Sequence, residues 1–350
     1  MNIEPQVFSL DDGAGTRLAV MDWGATWLSC HVLAGDGQPR EVLLGHAAPA
    51  DHLVEPGYLG GLIGRYANRI AGARFRLGEQ AVRLVPNEGP NQLHGGPRGF
   101  DKQRWTVIHA SPTRVSLRLV SPDGDQGFPG EVQATVTYVI EAPGRITISF
   151  DAVTTAPCPV NLTSHAYFNL DGEHARAADA CDAHRIAIQA THYLPVDAAL
   201  IPTGALAPVA GSAFDLRRDT PLGARAFDHC FVLDTEAAAG NVPAARIRSG
   251  DGLLGLSIGT DYPGLQLYTG EHLALTRDRR GLPYAARAGF ALEPQFLPDS
   301  PNRPDWPQVN CILHPGQRLQ RHMSMQFEEY PPGPAAAFIP THRLVSESTP

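Results

Sequence analysis

The sequence predicts an all-β protein folded as a large antiparallel β-sandwich. Its 35 glycines and 31 prolines are spread along the whole chain, and long helices tolerate neither residue in their interiors. Short runs of β-branched and aromatic residues alternate with polar residues at a period of two, as in half-buried strands. No helical pattern of roughly 10 to 15 residues separates these runs, which disfavours a parallel α/β sheet.

The predicted strands follow one another along most of the 350-residue chain. In order, the clearest alternating runs are residues 114–120, 135–140, 145–150, 185–189, 244–248, 254–258 and 264–269. The turn residues of Glu141-Ala-Pro-Gly144 predict a β-hairpin between the second and third runs. No repeat or linker divides the series, so we expect one domain over residues 1–330 and an extended Pro/Ala-rich C-terminal tail over residues 331–350.

Charge and composition exclude several classes of function. A net charge of -8, with the 36 acidic and 28 basic residues mixed along the chain, argues against nucleic acid and anionic membrane as partners. No segment reaches the roughly 18 apolar residues of a membrane-spanning helix, and the N-terminus lacks a secretory pattern, so we expect a cytoplasmic protein. Five scattered cysteines fit buried thiols in a reducing compartment. No His or Cys cluster has the spacing of a metal site.

Two segments in the first third of the chain combine polar groups that suit a hydroxyl-bearing ligand. In Gly64-Arg-Tyr-Ala-Asn-Arg-Ile70, Arg65 and Arg69 supply forks of donors, and Asn68 supplies a donor and an acceptor. A structural ion pair at a strand end is the alternative for this segment. His94 precedes Gly95 and Gly96, whose backbone freedom could aim the imidazole into a cleft, although a lone histidine beside glycines is more often a loop residue.

The segment Pro159–Leu170 carries a row of polar residues. If it is extended, alternation places Asn161, Thr163, His165 and Tyr167 on one face of a strand, as the floor of a site. A solvent-facing strand with a satisfied histidine is the alternative.

Two carboxylates mark later strand ends. Asp228 begins the apolar run Phe227–Leu233, and Glu293 follows the apolar run 289–292. Partial burial at such a position raises the pKa of a carboxyl group towards the range of a general base. A surface position for Glu293 remains the alternative.

Together these segments resemble the aldose 1-epimerase family, in the family's order, from Asp22-Trp-Gly-Ala-Thr26 to Gln317. Further matching motifs are residues 101–105, 121–130, 193–197, 201–204 and 263–270. The resemblance implies a β-supersandwich of the galactose mutarotase type. It also implies interconversion of the α and β anomers of a hexose, such as galactose or glucose, without a cofactor.

The resemblance also implies roles for individual residues. His165 is the acid and Glu293 the base, while Asn68, Arg69, His94, Asp228 and Gln266 hold the sugar; Tyr167 is counted with these substrate-binding residues. Two departures from the family pattern are Ser164, where Asn is common, and Glu271, where Asn is also common. Glu271 adds a charge beside the presumed substrate segment, so it bears on sugar preference.

The hypothesis is that Glu293 takes the proton of the C1 hydroxyl while a protonated His165 gives one to the ring oxygen. We expect a small aldohexose as the partner, and a monomer or weak homodimer. Alternatives are a hexose-6-phosphate 1-epimerase, which would need basic residues beyond Arg65, Arg69 and 277–280, and a non-catalytic carbohydrate-binding module on the same fold. A glycoside hydrolase, which uses two carboxylates, ranks third.

Overall fold

The computed structural model describes residues 4–54, 57–173, 180–306, 308 and 310–333. Within them every pair of hydrogen-bonded strands is antiparallel, which confirms the predicted all-β antiparallel class. Helices in this part of the chain are short: one α-helical turn, Thr235–Ala238, and the 3-10 turns Pro49–Leu53, Ala71–Ala73, Phe100–Lys102, Asp125–Gly127, Leu273–Leu275 and Ser300–Asn302. None of the helices described is long and apolar enough to cross a membrane.

The largest sheet has nine strands. In spatial order they are Thr106–Ser111, Arg114–Ser121, Val132–Ala142, Arg145–Thr154, Leu319–Glu329, Leu254–Thr260, Ala245–Arg248, Arg185–Ile188 and Thr220–Pro221. Burial alternates along Val132–Ile140, as the period-two pattern predicted. The predicted hairpin is also confirmed, since Val132–Ala142 pairs with Arg145–Thr154 around Glu141–Gly144.

A six-stranded sheet carries most of the polar residues that the sequence singles out. Its order is Tyr167–Phe168, Phe290–Gln295, Gly264–Tyr268, Asp228–Leu233, Ala190–Tyr193 and Ala207–Pro208. Strand Phe290–Gln295 is buried along its whole length because it lies inside the sheet, between Tyr167–Phe168 and Gly264–Tyr268.

Smaller sheets complete the described structure. Four strands form one sheet in chain order: Val7–Asp11, Arg17–Met21, Trp27–Leu33 and Pro39–Glu41. Two-stranded ladders join Cys158–Pro159 to Ile312–Leu313, Thr163–Ser164 to Leu62–Ile63, Arg69–Ile70 to Gln92–Leu93, and Arg74–Leu77 to Gln80–Arg83. The second of these ladders brings Leu62–Ile63 close to the six-stranded sheet, because Thr163–Ser164 is followed directly by Tyr167–Phe168 of that sheet.

One main apolar cluster connects the three larger sheets. It contains Val32 from the four-stranded sheet, Ile148 from the nine-stranded sheet, and Leu267 and Phe290 from the six-stranded sheet. Burial of this apolar surface is the chief stabilising contribution to the fold. The division at residue 330 stays a prediction, and residues 334–350 of the predicted tail lie outside the described residues.

Candidate active site

A cavity of about 240 Å³ opens beside the six-stranded sheet. The eight residues to which the family resemblance gives a role all line it: Asn68, Arg69, His94, His165, Tyr167, Asp228, Gln266 and Glu293. They come from segments that lie far apart in the chain, so only the fold brings them together. The cavity therefore has the mixture of apolar wall and converging polar groups that is typical of a small-molecule site.

His165 and Glu293 lie side by side on the cavity wall. His165 Nε2 is 3.7 Å from Glu293 Oε1, and the two side chains are 5% and 2% exposed. Glu293 lies within the central strand Phe290–Gln295, in register with Gln266 on the neighbouring strand. The backbone of His165 is held on both sides: its N–H donates to Gly61 O at 2.9 Å, and its carbonyl accepts from the Gly60 N–H at 3.0 Å.

Burial moves the pKa values of this pair in opposite directions: that of the carboxyl group rises and that of the imidazole falls. It raises the pKa of Glu293 to about 8, an effect that the nearby Asp228 charge increases and the Arg69 charge opposes. It lowers the pKa of His165 to about 4. In both residues burial disfavours the charged form. Between about pH 4 and about pH 8 the pair accordingly holds one exchangeable proton. An acid and a base that work together need this protonation state, with one proton between them.

Aromatic rings fix the orientation of the His165 imidazole. The Tyr58 ring is stacked on it at a centroid distance of 5.7 Å, and the Tyr167 ring lies 4.9 Å away. Tyr58 also contacts the His94 ring edge-on at 4.8 Å. These contacts restrict the rotamer of His165 and exclude water from one side of the ring.

His94 presents a neutral donor to the cavity. Its Nδ1 accepts a hydrogen bond of 3.2 Å from the Asn68 backbone N–H, which leaves the ring hydrogen on Nε2. Burial and the neighbouring His165 lower the pKa of His94 well below its usual value, so the ring stays uncharged. The tight turn needs Gly95, because a Cβ there would lie 2.0 Å from Gly64 O.

Two carboxylates flank the guanidinium of Arg69. Glu88 accepts from Nε at 2.7 Å and from Nη2 at 2.8 Å, and Asp228 Oδ2 lies 3.9 Å from Nη1. Asp228 Oδ1 in turn accepts from Gln266 Nε2 at 2.6 Å. The buried Gln266 Oε1 has no hydrogen-bond partner among the described residues.

Three polar residues that the sequence analysis singled out as site candidates, Arg65, Asn161 and Thr163, do not line the cavity. The Arg65 guanidinium donates instead to Gly130 O at 2.8 Å and to Ser121 Oγ at 2.6 Å, a structural role. Asn161 and Thr163 are fully buried elsewhere, so the expectation of one polar row along Pro159–Leu170 was wrong. The physical reason is that this segment is not one strand: Thr163–Ser164 pairs with Leu62–Ile63, whereas Tyr167–Phe168 pairs with Phe290–Gln295.

Sequence reasoning missed several residues that line the cavity. They are Gly57, Tyr58, Glu88, Leu93, Leu200, Tyr268, His272, Leu273, Leu275 and Thr276. For Glu88 a signal existed, because it lies in the same short segment as His94 and a buried arginine needs a counter-ion. The contact of Tyr58 with His165 has no local signal in the sequence.

The two departures from the family pattern lie outside the cavity wall. Ser164 does not line the cavity, although its neighbour His165 does. Glu271 accepts from Thr269 Oγ1 at 2.5 Å and from Arg287 Nη1 at 3.1 Å. The added charge of Glu271 is therefore paired with an arginine.

Comparison with known proteins agrees with this geometry. The family model described as aldose 1-epimerase matches residues 6–326. This chain belongs to the aldose 1-epimerase family. It is 43% identical to the aldose 1-epimerase of Escherichia coli K12 over 92% of this chain and 95% of the relative. It is 39% identical to the human galactose mutarotase over 89% of this chain and 91% of that protein.

Solved structures confirm the predicted galactose mutarotase-like sandwich. The GalM/aldose epimerase homologue from C. elegans superposes with a TM-score of 0.86 at 27% sequence identity, over 93% of this chain and 99% of that one. The aldose 1-epimerase fold thus extends over almost the whole length that the structure describes.

The cavity of this aldose 1-epimerase family member is lined by acid and base side chains, among them His165 and Glu293. Among the described residues, no group of three or more His, Cys, Asp or Glu side chains is placed to hold a metal ion. All five cysteines, Cys30, Cys158, Cys181, Cys230 and Cys311, are buried and free, as predicted. Burial raises their thiol pKa values, for example to about 11 in Cys158, which disfavours the nucleophilic thiolate.

Proposed function

We propose that this chain is a mutarotase, an isomerase that interconverts the α and β anomers of an aldohexose such as galactose or glucose. The observation that carries the proposal is the placement of His165 beside Glu293 at 3.7 Å, on the wall of a cavity lined with hydrogen-bonding side chains. Two relatives, named aldose 1-epimerase in E. coli and galactose mutarotase in humans, support the same activity.

Mutarotation needs one base and one acid close together. The base removes the proton of the C1 hydroxyl while the acid protonates the ring oxygen, and the hemiacetal opens to an aldehyde. Rotation about the C1–C2 bond turns the other face of the carbonyl towards the C5 hydroxyl, and closure reverses the two proton transfers. Because the C1 hydroxyl and the ring oxygen are bonded to the same carbon, the acid and the base must be neighbours, as His165 and Glu293 are.

In the proposed assignment Glu293 is the base that acts on the C1 hydroxyl, and His165 is the acid that acts on the ring oxygen. The C1 hydroxyl donates a hydrogen bond to the Glu293 carboxylate, and the protonated His165 donates one to the ring oxygen. Each bond favours the charged form of its residue, so sugar binding opposes the effect of burial on the two pKa values. Paired groups of this kind each accelerate proton transfer by roughly 10²- to 10⁴-fold.

The remaining cavity residues hold the sugar in place. Arg69 Nη1 and His94 Nε2 are donors, Gln266 Oε1 and Asp228 are acceptors, and Asn68 fixes the His94 tautomer through its backbone N–H. Tyr167 and Tyr58 supply apolar ring surface beside His165. Such fixed donors and acceptors orient the ring so that C1 meets the catalytic pair.

Polarimetry tests the proposed activity directly. Freshly dissolved α-galactose or α-glucose should reach its equilibrium rotation faster with the protein than with a heat-denatured sample in the same buffer. If neither sugar equilibrates faster with the protein than with the heat-denatured sample, the proposal is contradicted. Sugar binding without such acceleration would favour a non-catalytic module. A cytoplasmic location and a monomeric or weakly dimeric state stay predictions from the sequence.

A further inference from the structure

The carboxylate of Glu88 covers one complete edge of the Arg69 guanidinium. It accepts from Nε at 2.7 Å and from Nη2 at 2.8 Å, the bidentate geometry in which an arginine otherwise binds a carboxylate or phosphate of a ligand. The other side of the same guanidinium faces Asp228, with Nη1 at 3.9 Å from Oδ2. An incoming anion therefore finds the preferred binding edge of Arg69 occupied.

The charges around the cavity also disfavour an anionic ligand. Arg69 is the only arginine or lysine among the described residues that line the cavity, whereas Glu88 and Asp228 both line it. The Glu293–His165 pair shares one proton and adds no net charge near neutrality. The wall therefore carries the carboxylates of Glu88 and Asp228 against one guanidinium, a charge distribution that repels anions.

We propose that Glu88 is a specificity-determining residue that restricts this site to neutral aldohexoses by rejecting hexoses with an anionic substituent, namely hexuronates and hexose phosphates. The inference rests on the proposed function and names the substrate class of that same site. A neutral sugar hydroxyl needs a single donor, and Arg69 Nη1 still provides one. A carboxylate or phosphate group would have to displace Glu88 from Arg69 and would meet like charge from Glu88 and Asp228.

A purely structural role for Glu88 makes a different prediction. Its side chain is 37% exposed at the cavity rim, whereas that of Arg69 is 9% exposed. Glu88→Gln keeps the shape of the side chain and one acceptor oxygen for Arg69 while it removes the charge. A structural role would lower the melting temperature and leave anion affinity unchanged; the specificity role leaves stability nearly constant and changes anion affinity.

The decisive experiment measures inhibition of α-galactose mutarotation by galacturonate and by glucose 6-phosphate at fixed ionic strength. We expect both anions to inhibit Glu88→Gln at concentrations about tenfold or more below those needed for the wild type, since a like charge beside an anion costs more than the ~1.4 kcal/mol of a tenfold change. The KM for galactose should change by less than about threefold, because a neutral ligand meets no such repulsion. The matched control is Glu141→Gln, which removes a carboxylate from an exposed ion pair with Arg145 and should change neither quantity.

Unchanged inhibition constants in a folded Glu88→Gln protein would overturn the inference. An equal decrease of the inhibition constants in Glu141→Gln would also overturn it. If the wild type does not accelerate mutarotation, the proposed function fails instead. Calorimetric titration of wild type and Glu88→Gln with galacturonate then still decides the role of Glu88: tighter binding to the variant supports it, and equal binding refutes it. Should Glu88→Gln not fold, Glu88→Ser is measured in the same way with the same two outcomes.

Discussion

Glu293 Oε1 lies 3.7 Å from His165 Nε2, although the two residues are 128 positions apart in the chain. Each side chain is almost completely buried, yet each borders the cavity. Burial raises the pKa of the carboxyl group and lowers that of the imidazole, so the two groups compete for a single proton. A pair that holds one proton can give it at one sugar oxygen and take another proton at the adjacent oxygen.

The pH dependence of kcat/KM should be bell-shaped, with a plateau between about pH 4 and about pH 8. Below about pH 4 His165 gains a proton while Glu293 keeps its own, and no base remains. Above about pH 8 Glu293 loses the last proton, and no acid remains. The measurement is kcat/KM by polarimetry, with the buffer-catalysed rate subtracted at each pH. A kcat/KM that stays constant below about pH 4 and above about pH 8 would contradict the claim that the pair shares one proton.

Asp228→Asn and Arg69→Met should move the alkaline limb of this profile in opposite directions. The Asp228 charge raises the pKa of Glu293, so its removal lowers that pKa and moves the limb to lower pH. The Arg69 charge lowers the same pKa, so its removal moves the limb to higher pH. We expect shifts of roughly one pH unit, together with a raised KM in both variants because each loses a sugar contact. Shifts of the same sign in both variants would contradict the claim that these two charges set the pKa of Glu293.

Asn161 should prove to be a structural residue that joins three segments of the site. Its Oδ1 accepts from the Phe296 N–H at 2.9 Å, and its Nδ2 donates to Ala67 O at 3.2 Å and to Phe296 O at 3.3 Å. Asn161→Ala leaves these backbone groups unpaired in the core and should lower the free energy of unfolding by about 3 kcal/mol. Urea unfolding followed by circular dichroism measures this change.

Thr163→Val is the matched control for Asn161→Ala. Thr163 is equally buried, and its Oγ1 finds no hydrogen-bond partner in the described part of the chain. Removal of that hydroxyl should leave the free energy of unfolding within about 1 kcal/mol of the wild type, or raise it. A larger loss in Thr163→Val than in Asn161→Ala would refute the distinction between the two positions.

The sheet architecture was largely predictable because its signals are local. Alternation along 135–140 and 145–150, with a turn sequence between them, specifies a hairpin without knowledge of the rest of the chain. The same reasoning failed along Pro159–Leu170, where the chain passes from one strand partner to another within a few residues. A periodic pattern contains no information about such a change of partner.

The site was predictable only where residues belong to recognisable motifs. Arg65 and Arg69 occur in one motif and are the same residue type, but Arg65 donates to backbone carbonyls and Arg69 faces the cavity. Only the fold distinguishes them. Tyr58 acts through a contact with His165 that only the tertiary structure forms, so no sequence pattern identifies its role. Glu88 lies in the same short segment as His94, but its pairing with Arg69 becomes visible only in the fold.

The most direct test of the account is the mutarotation rate of Glu293→Gln, His165→Asn and the double variant with freshly dissolved α-galactose, followed by polarimetry. Glu293→Gln preserves side-chain shape and His165→Asn keeps a smaller planar polar group, so circular dichroism should show an unchanged fold. We expect each single variant to lose at least about 10²-fold in kcat, and the double variant to lose little more, because the two groups act as a unit. A folded single variant that turns over at the wild-type rate would contradict the proposed acid and base.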